Sequence, residues 1–151
     1  MPKRLQPGDL APAPDVAYGN IPQIVTNSPR LRVLVVDDEP LIRWSLAETL
    51  EQVGHGVVEA GDAASAIRSL AAGEPFDVVL LDYRLPDSND LNLLTTIRKL
   101  APTSAVIMMT AFGTPEVTAG ALALGAYCVM PKPFEVHDLA RLVLQAHAAA
   151  R

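Results

Sequence analysis

From residue 31 onward, short β-branched, apolar runs alternate with longer stretches in which apolar residues recur every three to four positions. The first period suits strands and the second amphipathic helices. Residues 31–36 (LRVLVV) predict a strand. Residues 40–53 predict a helix, with Ile42, Leu46, Leu50 and Val53 near helical spacing, Pro40 suited to the first turn and Gly54 ending it. A weaker strand follows at 56–59, then a helix at 62–72, capped by Asp62 and stopped by Gly73. Strands at 77–81 (DVVLL) and 105–109 (AVIMM) flank a helix at 90–100 that ends before Pro102. A helix at 115–124 closed by Gly125, a short strand at 127–130 and a last helix at 135–149 complete the series.

Five strands alternating with five helices predict an α/β domain: βαβ crossovers building a parallel sheet with helices on both faces. The first, third and fourth strands are nearly all apolar, as strands covered on both sides must be. Residues 1–30 break the pattern. They hold 6 of the 13 prolines, which remove backbone donors and interrupt helices. We read 1–30 as a Pro-rich, disordered N-terminal extension, in which Ile21, Ile24 and Val25 could let part dock, and 31–150 as the folded domain.

Composition narrows the function. Of 151 residues, 50% are hydrophobic and 19% charged, which fits a globular chain. Net charge is −5. The extension carries +1 (Lys3, Arg4 and Arg30 against Asp9 and Asp15), so the remainder carries −6. An acidic domain with no basic stripe argues against direct nucleic-acid binding. No apolar run approaches the ~18 residues that span a bilayer, so no membrane role is expected. One cysteine, Cys128, allows no internal disulfide and fits a reducing, cytoplasmic setting.

In an open parallel sheet, ligands bind beyond the carboxyl ends of the strands. Asp37-Asp38-Glu39 follow the first strand, Asp82 the third and Thr110-Ala111 the fourth; Lys132-Pro133 stand just past the fifth. The end of the second, Glu59-Ala60-Gly61, adds no obvious chemistry. Crowded carboxylates raise one another's pKa unless a cation joins them. A hard divalent ion such as Mg²⁺, which accepts one or two carboxylates, a carbonyl and waters, answers that need. Metal, ammonium and hydroxyl beside a free carboxylate suit a phosphoryl group, which the carboxylate can attack to form an acyl phosphate.

The ordered set Asp37-Asp38, Asp82, Thr110 and Lys132-Pro133, carried by VLVVDDEP, VVLLDYRLPD, MMTAFG and PKPF, resembles a response-regulator receiver domain of two-component signalling. The resemblance covers roughly residues 31–150. It implies a flavodoxin-like sheet of order 2-1-3-4-5. It also implies a phosphoryl group taken onto Asp82 from a sensor histidine kinase or phosphotransfer protein. Asp37, Asp38, Asp82 and the backbone carbonyl of Arg84 would hold Mg²⁺. Thr110 would be the switch hydroxyl and Lys132 the partner of the phosphoryl group, with the following proline bond commonly cis. Such a domain is not a conventional enzyme beyond self-phosphotransfer and autodephosphorylation. No effector segment follows in this sequence. The chain therefore reads as a stand-alone receiver whose output is a partner protein, a dimer or a phosphorelay. The expected output face is the fourth helix, fifth strand and fifth helix, with Ala119 and Ala123 outward and Gly120 loosening the helix.

Three positions differ from the family's usual pattern. Val129 stands where the switch aromatic is expected, with Tyr127 two residues earlier. Asp90 stands where a glycine is usual. Arg84 and Phe112 occupy positions that tune dephosphorylation, and both would shield the phosphoryl group from water. These departures leave one rival, a phosphorylation-independent receiver acting as an interaction module. A haloacid-dehalogenase-type phosphatase would need a second acid two residues after Asp82, where Arg84 stands. Glu39 reads as a solvated acid, and Cys128 and Trp44 as packing residues. His55, His137 and His147 have no metal spacing.

Overall fold

The structure, a computed structural model, describes residues 29–150. The reading of 1–30 as an extension therefore falls almost wholly outside the described residues. In chain order the elements are β1 (Arg32–Val36), α1 (Pro40–Gln52), β2 (Gly56–Ala60), α2 (Ala63–Ala71) and β3 (Val78–Asp82). They continue with α3 (Asn92–Leu100), β4 (Ala105–Thr110), α4 (Pro115–Ala123), β5 (Cys128–Pro131) and α5 (Val136–Ala150). All five strands pair in parallel, in the order β2-β1-β3-β4-β5. The sheet is the one the alternation and the resemblance imply.

Period-two alternation splits the core in two. Val33, Val35, Val78, Leu80, Ile107 and Met109 face α1 and α5, meeting Leu46, Leu50, Leu139 and Val143. Leu34, Val36, Val79, Leu81, Val106 and Met108 face the other way, against Ala66, Leu94, Ile97 and Ala121 of α2, α3 and α4. Every residue of β3 and β4 is buried, which is why those strands read as unbroken apolar runs.

Two packing expectations change. Trp44 is 57% exposed rather than packed. At 100° per residue it lies nearly opposite Leu46, which is buried. Gly120 is explained by contact rather than by looseness: a Cβ there would stand 2.8 Å from Leu91 Cδ1, so the glycine lets α4 pass close to the start of α3. Of α4 only Ala121 is buried; Ala119 and Ala123 face outward as expected, and Leu122 is exposed beside them. Cys128 is half-buried against the α1–α5 core. Among the described residues no helix is long and apolar enough to cross a membrane.

Candidate functional site

The backbone ladder continues past the strand ends and sets the site. Asp37 N–H donates to the Ala60 carbonyl at 3.1 Å, Tyr83 N–H to Met109 at 2.9 Å and Lys132 N–H to Thr110 at 2.8 Å. Residues far apart in sequence are thus aligned at one edge. Asp82 and Thr110, expected just beyond their strands, are instead the last strand residues, both buried. The Lys132–Pro133 bond is cis.

Asp37, Asp38 and Asp82 each offer a carboxylate oxygen within 4.8 Å of the others. Asp37 is fully buried, Asp82 nearly so, and Asp38 is exposed, so the cluster opens to solvent on one side. Asp37 is held from two sides: its Oδ1 accepts from Glu39 N–H at 2.9 Å and its Oδ2 from Lys132 Nζ at 2.8 Å. Lys132 Nζ also lies 3.3 Å from Asp82 Oδ2 and 3.9 Å from the exposed Glu39. One ammonium therefore serves two buried acids.

The charges record the crowding. Burial, and then the neighbouring Asp37 charge, push Asp82 up to about 6, against the pull of Lys132. Burial alone would lower Lys132, but its hydrogen bond to Asp37 and the two carboxylate charges outweigh that and raise it. Three carboxylates against one ammonium leave an excess of negative charge on hard oxygen donors. Such a donor set fits a divalent ion such as Mg²⁺.

Thr110 Oγ1 accepts from Phe112 N–H at 3.1 Å, so its own proton remains to be donated elsewhere. A Cβ at Gly113 would meet the Thr110 methyl at 3.0 Å, which keeps that turn small. The Arg84 guanidinium lies 5.0 Å over the Phe112 ring, joining the loops after β3 and β4. Both side chains are exposed. Asp90 is held by its own loop: Oδ1 accepts from Asn92 N–H at 2.9 Å, an Asx contact leading into α3. Val129 packs against the core on the α2–α4 side, and Tyr127 is exposed.

The expected side chains Asp37, Asp38, Asp82 and Lys132 thus converge, and Thr110 stands on the adjacent strand end. Two residues that sequence reasoning passed over, Arg43 and Asp87, also reach this edge. Arg43 Nη1 donates to the Asp37 carbonyl at 2.8 Å, and Asp87 binds the start of α2. Nothing in their local pattern marks them beyond a helix-face arginine and a turn aspartate.

A doubly wound sheet with an acidic cluster and a lysine at its carboxyl edge defines the class, and the chain belongs to the response regulator receiver domain family, which it matches over residues 33–144. It is 39% identical over 117 residues to the response regulator protein PilR of Pseudomonas aeruginosa, covering 78% of this chain and 26% of that protein. It is 34% identical over 111 residues to the transcriptional regulatory protein PdtaR of Mycobacterium tuberculosis, covering 72% of this chain and 52% of that protein. The chain thus spans about a quarter to a half of these relatives. Among solved structures it resembles a CheY-like receiver domain protein of Methanospirillum hungatei (TM-score 0.76, 30% identity, 81% of this chain and 97% of that one). It also resembles the receiver domain of NtrX from Brucella abortus (TM-score 0.70, 36% identity, 77% and 98%).

Proposed function

We propose that this receiver takes a phosphoryl group from a histidine kinase or phosphotransfer protein onto Asp82, and signals through changed partner binding. The observation that supports it most is Asp82 itself: a buried carboxylate ending the central strand, 3.3 Å from Lys132 Nζ and clustered with Asp37 and Asp38. In the step, an Asp82 oxygen attacks phosphorus in line while the P–N bond of the phosphohistidine breaks. The bonding pair goes to the imidazole nitrogen, and an acyl phosphate forms on Asp82. Lys132 neutralises a phosphoryl oxygen, and the Thr110 hydroxyl donates its proton to another. The same hydroxyl oxygen accepts from the Phe112 amide, which links the site to the loop leading into α4. Asp37, Asp38, Asp82 and the Arg84 carbonyl would hold Mg²⁺, which when bound neutralises charge on the transferred group.

The exposed Leu122, Leu124 and Tyr127 favour the α4–β5–α5 face as the output surface, for a protein partner or a second copy. The reading places the chain in the cytoplasm, where ATP-dependent kinases make phosphohistidine. A phosphorylation-independent module would leave the destabilising carboxylate cluster without a use. The test is labelling by acetyl phosphate with Mg²⁺, read by intact mass. One phosphoryl group is expected on the wild type and none on Asp82→Asn; undiminished labelling of the variant overturns the assignment. The stacked Arg84–Phe112 pair should also slow loss of the label, with Arg84→Asn and Phe112→Glu decaying several-fold faster.

A further inference from the structure

The turn between β2 and α2 carries no chemistry of its own, yet both loops of the acidic cluster are fastened to it. The loop after β1 is held by Asp37 N–H donating to the Ala60 carbonyl and by Arg43, which donates to the Asp37 carbonyl and, through Nε at 3.1 Å, to Glu59. Gly61 leaves room for that guanidinium, since a Cβ there would sit 3.2 Å from Arg43 Nη1. The loop after β3 is held by Asp87. Its Oδ1 accepts from Ala63 N–H at 2.8 Å and its Oδ2 from Ala64 N–H at 3.1 Å. The cap residue Asp62 takes the next amide, Ser65 N–H, at 2.7 Å. Two carboxylates 25 positions apart in sequence thus share three free amides at one helix end, where the helix dipole favours both. Between Asp82 and Asp87 the chain has little slack. Leu85 is buried in the core, and residues 85 and 88 exchange backbone hydrogen bonds at 2.8 and 3.2 Å.

We propose that Asp87 is a positioning residue for the metal site. By fastening the β3–α3 loop to α2 it holds the backbone that runs from Asp82 through Arg84 at the edge of the acidic cluster, with the β2–α2 turn as the common strut. The proposal rests on the reading of Asp37, Asp38 and Asp82 as Mg²⁺ ligands.

The experiment is Mg²⁺ titration of the full chain, followed by NMR amide shifts, on wild type, Asp87→Ala, Asp87→Asn and Asp62→Ala. Asp62→Ala removes a cap from the same helix end without touching the loop, so it separates lost α2 stability from lost positioning. Asp87→Ala should weaken Mg²⁺ binding by roughly three- to tenfold, Asp87→Asn by less because one acceptor oxygen remains, and Asp62→Ala by under twofold. Equal affinity of Asp87→Ala and wild type, or equal weakening by Asp62→Ala, overturns the proposal. Wild type without saturable Mg²⁺ binding overturns the metal reading beneath it. Hydrogen exchange at Ala63 and Ala64 then judges the tether alone, with faster exchange in Asp87→Ala expected and unchanged exchange refuting it.

Discussion

The two ends of the sheet handle buried charge in opposite ways. At the carboxyl edge, Asp37 and Asp82 share one ammonium, and a third carboxylate stands nearby. At the amino edge each charge has its own place. Asp77 Oδ2 accepts from Arg32 N–H at 2.8 Å, and Asp77 N–H donates back to the Arg32 carbonyl at 2.8 Å. The Arg32 guanidinium stacks 4.3 Å over Phe76 and lies 3.4 Å from Glu74. Leu31 N–H donates to buried His55 Nδ1 at 3.0 Å, and Ser104 Oγ to the Phe76 carbonyl at 2.6 Å. Among the described residues only Arg32 Nε and His55 Nε2 are buried without a partner. Both nitrogens belong to the amino edge, where each charge nonetheless has an opposite charge or a hydrogen-bond partner close by; the carboxyl edge is a cluster short of positive charge, which is where a functional site departs from stability.

Removing the one ammonium that the two buried acids share should have the largest effect. Lys132→Met leaves Asp37 and Asp82 buried without the ammonium they share and should cost about 3 kcal/mol in metal-free buffer. Added Mg²⁺ should recover part of that loss in a denaturant titration; recovery of none would mean that the carboxylates do not share an ion. Next come the two matched charge removals. Asp82→Asn should stabilise the metal-free protein at pH 8 by roughly 1–3 kcal/mol, since the raised pKa marks a penalty on the carboxylate. Asp77→Ala should destabilise by about 1–2 kcal/mol, because the Arg32 amide loses its acceptor. The same sign for both would erase the contrast.

The ends should also titrate in opposite directions. Asp82 has its folded pKa above its unfolded value, so its penalty is complete above about pH 6 and fades as pH falls toward 3.8. His55 has its folded pKa held below 6.5 by burial first and the Arg30 charge second, against the opposing Asp77 charge. Its contribution is complete above pH 6.5 and is lost as pH falls through the lowered value. His55→Leu should therefore flatten the acid limb of stability while lowering the neutral plateau, and Asp82→Asn should steepen it. Urea titrations across pH 4–8 on both variants check this. The smallest expected effect is Arg32→Lys, about 0.5 kcal/mol, which keeps the charge and loses most of the stacking on Phe76.

Much of this was legible in the sequence, for definite reasons. β1, β3 and β4 were readable because strands covered on both faces must be apolar throughout, and α1, α2 and α4 because Gly54, Gly73 and Gly125, all at positive φ, follow their ends. Asp37, Asp82, Thr110 and Lys132 were readable as a group because parallel topology brings successive strand ends to one edge. Trp44 was misplaced although its angle from Leu46 pointed outward. Gly120 was read through helix propensity, when the deciding fact is the Leu91 side chain beside it.

The sequence by itself determined the order of elements, the two-faced core and the identity of the acids at the carboxyl edge, because each follows from local period and from position relative to a strand end. Only the tertiary structure decided that Asp37 takes the shorter bond to Lys132, that Asp87 reaches across to α2, and that His55 receives the Leu31 amide. Those contacts join residues 24 to 95 positions apart. Strand register and helix placement fix such distances to fractions of an ångström, and no local pattern encodes them.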